Sequence, residues 1–211
     1  LGTKATADDV ARILDYVGLV RSDLVRETAL TVLLSAESPA ARDALVERGL
    51  GHARPLARAY AARACRLLRL EAGRDTLRAL LTDGDWLVRA EAALALSALH
   101  DIDAQSGLRA LTQDPSPKTR IAAMDALAML GDDVNSTCLP LVAKNLAHER
   151  WQVRVAAAQT LGRIGDAESV TALLARVESE AGRVREEIFD ALRAISHEDF
   201  GNDASRWRIW W

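Results

Sequence analysis

The sequence is poor in the residues that build β-sheets, membrane spans and disulfide-stapled domains. Aromatic residues make up 4% of its 211 residues, and β-branched residues are also scarce, which disfavours an all-β fold. No apolar run reaches about 18 residues, so we expect no membrane span. The only cysteines, Cys65 and Cys138, lie far apart and form no C-x-x-C pair, which argues against a zinc site.

The composition that remains is that of a folded helical protein. Hydrophobic residues make up 49% of the chain, with only 12 glycines and 5 prolines, which excludes a disordered or collagen-like chain. Alanine and leucine supply most of the apolar residues, and both are strong helix formers. The composition therefore predicts an all-α fold.

The charge balance gives no general attraction to polyanions. Lys+Arg is 27 and Asp+Glu is 30, a net charge of −3, so binding to nucleic acid or to an anionic membrane is not indicated for the chain as a whole. Arginine greatly outnumbers lysine, which we attribute mainly to genome composition. The unpaired thiols and the lack of a signal peptide predict a cytoplasmic location.

An arginine recurs at intervals of 31 to 34 residues in six similar segments. Small or aliphatic residues follow it at offsets of three, seven and ten, which lie on one face of a helix. Each segment therefore predicts one long helix, helix B, preceded by a shorter amphipathic helix A. A single pair cannot bury its apolar face, so neighbouring pairs must stack. The six arginines are Arg26, Arg58, Arg89, Arg120, Arg154 and Arg185.

Two segments carry a recognisable motif. It combines an acidic residue, V-R or a similar pair, small residues, leucines and a final Gly-Asp, as in 114–132 and 153–166. This motif resembles the bacterial HEAT repeat, in the short variety that also occurs in phycobilisome-lyase-like sequences. The resemblance extends over about residues 8–200 and implies a right-handed α-solenoid, a superhelix of about six HEAT-like helix pairs. We place the solenoid at 1–200, with repeats at about 7–37, 39–71, 73–100, 102–131, 133–165 and 167–197.

The C-terminal segment, 201–211, differs from the repeats. Trp207, Trp210 and Trp211 stand at i, i+3 and i+4, on one face of a predicted helix. With Phe200 before them, they resemble the aromatic ending that follows the last repeat in many bacterial HEAT proteins. We expect an aromatic cap over the open end of the core, and the alternative is a platform for a ligand.

The sequence shows no arrangement typical of catalysis or metal binding. It lacks a nucleophile motif, a phosphate-binding loop and any H-x-x-H pair. We therefore predict no enzyme activity, no cofactor and no metal site. The four histidines are expected in solvated turns, and they are His52, His100, His148 and His197.

The six recurring arginines invite a functional interpretation, but a structural one is preferred. Arginine suits a carboxylate partner because its planar guanidinium can bind both oxygens. Near Asp83, Asp85 and Asp114, it resembles the Asp–Arg ladder that links adjacent HEAT repeats. Arg154 has no acid just before it, so it needs another acceptor.

Charge is distributed unevenly along the chain. Residues 52–78 hold seven arginines against two acids, whereas residues 178–199 hold three arginines against seven acids. Solvated helix faces would explain both regions. The alternative is that the basic region, above all Arg63 and Arg66, binds an acidic partner, either protein or nucleic acid.

The surface of helix B opposite the core can be located from the repeat. It holds the positions one, five and eight residues after the arginine, at about 100° per residue. In HEAT-like solenoids helix B lines the concave side, which is what the resemblance implies here. This helix-B stripe is apolar in the middle and charged at its ends, as a protein-binding site requires, unless curvature buries it. The candidate partner-binding residues are Arg63, Arg66, Ala90, Leu94, Ile121, Asp125, Val155 and Gln159.

Together these patterns predict a non-catalytic scaffold or adaptor that binds a protein partner of unknown identity. Nucleic-acid binding through the arginine-rich second repeat is the alternative. A bilin-lyase-like enzyme, or a regulatory module of a longer protein, is less favoured. We expect no membrane association and a monomeric or weakly self-associating chain.

Overall fold

The described chain is helical throughout. The computed structural model describes the backbone of residues 4–211 and the side chains of residues 4–131 and 138–211. Within this described part there are thirteen α-helices and no β-strand. The chain divides into two compact units, residues 1–107 and 108–211.

The first unit contains six complete helices. They are α1 (Ala7–Val17), α2 (Asp23–Leu33), α3 (Pro39–Ala44, continued by a π-helical turn over Leu45–Gly49), α4 (Pro55–Leu68), α5 (Arg74–Leu80) and α6 (Trp86–Ala98). Helix α7 (Gln105–Leu111) begins in this unit and ends in the second. Helices α2, α4 and α6 carry the recurring arginines, and α4 packs against both α2 and α6.

The second unit follows the same alternation of helices. Its helices are α8 (Pro117–Leu130), α9 (Asp132–Lys144), α10 (Trp151–Ile164), α11 (Ala167–Arg176), α12 (Gly182–Ser196) and α13 (Ala204–Trp210). Helix α10 packs against α8 on one side and α12 on the other. A Cβ at Gly162 would lie 3.0 Å from the Cβ of Ala191, so glycine permits the close approach of α10 and α12. The predicted limits of the repeats stay a prediction.

Local sequence explains where many helices begin and end. Thr6 and Asp9 form a capping box at the start of α1. Ser116 precedes Pro117 and accepts a hydrogen bond from a first-turn N–H of α8. Asp166 caps α11 in the same way, after Gly165 has ended α10 with a φ of +75°. Asp132, part of the Gly-Asp motif, has its side chain outside the described residues.

The core lies where the offsets from the arginine place it. All six residues three positions after the arginine are buried, and so are all six at seven positions after it. At ten positions, Ala36 and Leu99 are buried, whereas the other four residues keep some exposed surface. The buried residues at the first two offsets are Ala29, Ala61, Ala92, Ala123, Ala157, Ile188, Leu33, Cys65, Leu96, Leu127, Leu161 and Leu192.

The C-terminal segment is built around one buried tryptophan, and its role as a cap stays a prediction. The side chain of Trp207 is fully buried, and its Nε1–H donates a hydrogen bond to the carbonyl oxygen of Gly201 at 2.9 Å. The ring of Phe200 packs edge-on against it at 5.0 Å between centroids. Trp210 and Trp211 continue the aromatic cluster but remain 37% and 51% exposed. Only one of the three tryptophans is therefore a core residue.

No helix in the described part of the chain is long and apolar enough to cross a membrane.

Candidate functional site

The helix-B stripe is partly covered by the packing of neighbouring B helices. In the first unit Ala90 is buried, while Leu94 on the same helix keeps some exposed surface. In the second unit four candidate residues are partly exposed, on the neighbouring helices α8 and α10. These four are Ile121, Asp125, Val155 and Gln159. The stripe therefore offers a half-buried surface with both apolar and polar groups.

Arg63 and Arg66 already have carboxylate partners on neighbouring helices. The Arg63 Nη1 lies 3.2 Å from a carboxylate oxygen of Glu27 on α2. The Arg66 Nη2 lies 3.7 Å from Glu91 on α6. Burial raises the pKa of Glu91, although the positive charges of Arg66 and Arg63 oppose the shift. These two arginines thus belong to a charge network that crosses α2, α4 and α6.

The other arginines of residues 52–78 are engaged in the same way. Each of the seven has an acceptor within the first unit, either a carboxylate or a backbone carbonyl. The acceptors are Asp15 for Arg54, Asp83 for Arg58, Glu27 for Arg63, Glu91 for Arg66, the Ala98 carbonyl for Arg69, the Leu99 carbonyl for Arg74, and Asp101 for Arg78. The excess of positive charge in this stretch of sequence is therefore balanced by residues outside it.

Arg58 makes the best-formed of these contacts. Its Nε and Nη2 donate to the two carboxylate oxygens of Asp83 at 2.8 and 2.9 Å, and its Nη1 donates to the carbonyl oxygens of His52 and Ala53. Burial tends to raise the pKa of Asp83. The hydrogen bonds from Arg58 and from the backbone N–H of Asp85 outweigh burial, so the pKa is lowered. The contact joins α4 to the turn before α6.

Two further arginines of the repeat bind residues about 25 positions later in the chain. Arg120 donates to the side-chain oxygen of Asn145 at 3.0 Å, and Arg154 donates to Glu180 at 3.1 Å. Glu180 is the acceptor that Arg154 lacks on its N-terminal side in the sequence. Neither Asn145 nor Glu180 was predicted, because the sequence pattern drew attention to acids before the arginine.

The structure also describes contacts of the remaining three recurring arginines. Arg26 donates to the carbonyl of Arg21 and pairs with the exposed Asp23. Arg89 donates to the carbonyl of Asp83 at 2.7 Å. The guanidinium of Arg185 lies over the ring of Phe189. What most of the six share is a hydrogen bond to a carbonyl in the turn before their own helix.

A groove with a partly polar lining lies between α10 and α12. A cavity of about 320 Å³ is lined there by Gln159, Gly162, Arg163, Glu187, Asp190, Ala191 and Ala194. Arg163 reaches Asp125 on α8 at 3.3 Å. Burial raises the pKa of Asp125, and Arg163 opposes that shift. The carboxylates near this groove thus have arginine partners of their own.

The titratable groups that the structure describes show no arrangement typical of covalent or metal chemistry. Cys65 is fully buried, and burial raises the pKa of its thiol to about 12, so the thiolate is not available near neutral pH. His52 interacts with Asp15 at 3.1 Å, and His100 and His197 end helices with positive φ. Among the described residues, no group of three or more His, Cys, Asp or Glu side chains could hold a metal ion.

Comparison with solved structures shows which fold this is. The chain superposes on an engineered protein with a TM-score of 0.64 at 20% identity, over 90% of this chain and 97% of that one. It superposes on a designed armadillo repeat protein in complex with the peptide (KR)4 with a TM-score of 0.62 at 17% identity, over 89% and 99%. Kap121p bound to Pho4p gives 0.64 at 17% identity over 89% of this chain, which spans only 25% of Kap121p. The fold is an all-α repeat solenoid.

Comparison of the sequence points the same way. No curated protein matches the chain. The family model for HEAT repeats matches residues 46–128 and 105–193, which together make up more than half of the chain. The resemblance inferred from the recurring arginine and the Gly-Asp motif is thereby confirmed, and the chain belongs to the HEAT-repeat family.

Proposed function

We propose that this protein is a non-catalytic scaffold that binds a protein partner on the helix-B stripe. HEAT and armadillo-like repeat folds are typical of protein-interaction scaffolds. The observation that carries the proposal is that three B helices pack side by side in each unit, and the residue five positions after the arginine keeps exposed surface on every one. These residues are Thr31, Arg63, Leu94, Asp125, Gln159 and Asp190.

The second unit offers the better docking surface. Ile121 and Val155 provide half-buried apolar contact, with Asp125 and Gln159 beside them as polar groups that can fix the partner's register. An apolar strip with a polar rim is the arrangement that binds helices and extended peptides. The solved relatives in complex with a peptide, (KR)4, or with a protein, Pho4p, support a partner of this class.

Arg63 and Arg66 contribute less directly than their charge suggests. Each retains about a third of its side-chain surface, so a partner carboxylate could share them with Glu27 and Glu91. Reversing either charge would place a new carboxylate beside an existing one and would disturb the fold as well as binding. The proposal is therefore better tested at Gln159, which has no ion pair to lose.

The experiment introduces one arginine on helix B and one on the neighbouring helix A. Gln159→Arg alters the stripe, and Thr171→Arg on the exposed face of α11 is the matched control. A photo-crosslinking amino acid at each position identifies partners in source lysate, with and without nuclease treatment. We expect crosslinking to a protein from position 159 and not from 171, and loss of its capture in Gln159→Arg alone.

Equal crosslinking from both positions would remove the helix-B stripe as the binding site. Crosslinking that disappears after nuclease treatment would instead favour nucleic-acid binding. The pairing of all seven arginines in residues 52–78 gives that alternative no specific support.

A further inference from the structure

A small cavity opens between the first turns of α8 and α10, beside the N-terminal residues of the helix-B stripe on these two helices. Its volume is about 290 Å³, and it is lined by Pro117, Lys118, Ile121, Arg150 and Gln152. We call it the α8–α10 pocket. Sites for small molecules usually occupy roughly 300–1,000 Å³. The pocket is therefore suited to one or two side chains of a partner rather than to a cofactor.

The floor and rim of this pocket differ in character. Pro117 and Ile121 supply apolar surface, and the aliphatic parts of Lys118 and Arg150 extend it. Trp151, the first residue of α10, follows Arg150 and is 50% exposed. Exposed tryptophan is enriched where proteins bind one another, because it contributes a large apolar area at low entropic cost. The pocket thus has an apolar interior next to cationic groups.

Arg150 is the cation that distinguishes this place from the arginine-rich stretch of residues 52–78. It is exposed, and its guanidinium makes no ion pair or hydrogen bond with the described residues. Burial lowers the pKa of the neighbouring His148 imidazole, and the charges of Arg120 and, to a smaller extent, Arg150 lower it further. Glu149 opposes this shift but does not cancel it.

The start of α10 adds partial positive charge on the same side. Its N-cap residue is Arg150, which supplies no side-chain acceptor for the first-turn N–H groups. Ser116 caps α8 and Asp166 caps α11 through their side-chain oxygens, whereas α4 and α12, like α10, begin without such a cap. A helix N-terminus without an acceptor favours a nearby anion. The cations of the pocket and the backbone N–H groups at the start of α10 therefore both favour an anionic group.

We propose that the α8–α10 pocket receives an acidic–aliphatic segment of a protein partner. The carboxylate of the segment lies by Arg150, Lys118 and the start of α10, and an adjacent aliphatic side chain enters the cavity against Pro117 and Ile121. This inference rests on the proposed scaffold function, because Ile121 belongs to both surfaces. It adds the chemistry of the partner, which the helix-B stripe alone does not specify.

A protein segment fits this place better than a nucleic acid does. A phosphate backbone is bound by rows of cations, and binding weakens steeply with salt. Here only two cations border a cavity whose floor is apolar, in a chain of net charge −3. An apolar floor beside a small cationic rim instead matches an aliphatic side chain next to a carboxylate.

The test is a selection of random peptides on phage against the full chain, with the selected peptides remade and their dissociation constants measured. We expect enrichment of sequences in which Asp or Glu adjoins Leu, Ile or Val. Arg150→Glu should weaken these peptides by at least about tenfold, because it removes a charge-assisted contact and adds repulsion. Arg48→Glu is the matched control, since Arg48 is also exposed and its guanidinium makes no ion pair or hydrogen bond with the described residues. It should change affinity less than about twofold.

Two further variants separate the parts of the site. Ile121→Ala should weaken the same peptides while leaving a preference for acidic residues, and Arg150→Gln should weaken them without adding repulsion. Circular dichroism of each variant checks that helicity is unchanged. A short single-stranded oligonucleotide, tested in parallel, provides the phosphate probe.

The possible results each decide the inference. Selected peptides that are basic, that are insensitive to Arg150→Glu, or that do not emerge at all would overturn it. Stronger binding of the oligonucleotide, lost in Arg150→Glu, would overturn it in favour of a phosphate ligand. Peptides that depend on Gln159 but not on Arg150 would leave the scaffold function standing without this pocket, so the two failures are distinguishable.

Discussion

The arginines of residues 52–78 differ from Arg150 in whether their guanidinium groups have an acceptor within the fold. In the first region every guanidinium has an acceptor within its own unit, and several lie on or near the helix-B stripe. Arg150 has no such acceptor in the described part of the chain and borders a cavity. Density of charge in a sequence therefore does not locate the charge that is available to a partner.

A local count of charges does not show which arginines are engaged, because each donor and its acceptor lie far apart along the chain. Arg58 binds Asp83, and Arg78 binds Asp101, because stacked repeats bring residues about 25 positions apart into contact. A count of charges over a single repeat includes these arginines but leaves out their acceptors. The following predictions test this distinction.

The largest effect is expected from Arg58→Ala. It leaves the carboxylate of Asp83, only 9% exposed, without its two hydrogen bonds from Arg58, and it also frees two backbone carbonyls. Breaking a largely buried ion pair on one side should lower the free energy of unfolding by about 3 kcal/mol. Urea denaturation at pH 7 measures it.

Arg26→Ala is the matched control, because Arg26 occupies the same repeat position but pairs with the exposed Asp23. We expect a loss below about 1 kcal/mol there. The lowered pKa of Asp83 adds a check on pH. The stabilising contribution is complete above the unfolded value of 3.8 and is lost as pH falls through the folded value, so the deficit of Arg58→Ala should shrink in acid. Equal losses at both positions would contradict the distinction.

A smaller effect is expected from Asn145→Ala. Asn145 is buried, accepts from Arg120, and donates to the carbonyl oxygens of Thr112 and Leu141. Its removal leaves buried polar groups unsatisfied and should cost about 2 kcal/mol.

Asn202→Ala serves as control, because Asn202 is exposed and, among the described residues, accepts a hydrogen bond only from Arg193. It should stay within about 0.5 kcal/mol of the wild-type stability. A cost at Asn145 no greater than that at Asn202 would show that the contact with Arg120 is incidental.

These residues also show what the sequence could and could not predict. The core was predictable, because a helix repeats its faces and the offsets from the arginine placed Leu127 and Leu161 correctly. The acceptors Asn145 and Glu180 were not, since they depend on how one pair stacks on the next. The three tryptophans of the C-terminal segment share a helical face in the sequence, yet Trp207 is the only one of them that is buried.

The candidate site was less predictable than the fold for a related reason. Offsets give the direction of a side chain but not how closely the next helix approaches. Ala90 lies in the predicted stripe and is buried, whereas Leu94, one turn further on, is not. The α8–α10 pocket depends on the separation of two helix starts, and Arg150 carried no signal beyond its charge.

The next prediction concerns Glu91, a carboxylate whose ionised form destabilises the folded state. Burial raises the pKa of Glu91, and its Oε2 makes no hydrogen bond although Arg66 lies 3.7 Å away. A raised carboxyl pKa means that ionisation disfavours the folded state, so Glu91→Gln should be more stable than wild type at pH 7. The advantage should diminish as pH falls through the folded pKa toward the unfolded value of 4.5.

Asp83→Asn provides the opposite sign in the same unit. Its lowered pKa predicts a loss of stability at pH 7, and this loss should disappear only at lower pH than the change at Glu91. Unfolding followed across pH 3 to 7 distinguishes the two. Parallel pH profiles would mean that burial and pairing do not separate these carboxylates.

The smallest change in stability is expected at Arg150, and that is what makes it informative. Arg150→Gln breaks no ion pair or hydrogen bond with the described residues and removes positive charge from the start of α10, where a cation is unfavourable. Its unfolding free energy should therefore lie within about 0.5 kcal/mol of the wild type, on the stabilising side. Thermal and urea unfolding, at low and high salt, measure this. A cost like that of Arg58→Ala would place Arg150 among the structural arginines and remove the contrast. Unchanged stability together with lost peptide binding would show that this arginine serves a partner and not the fold.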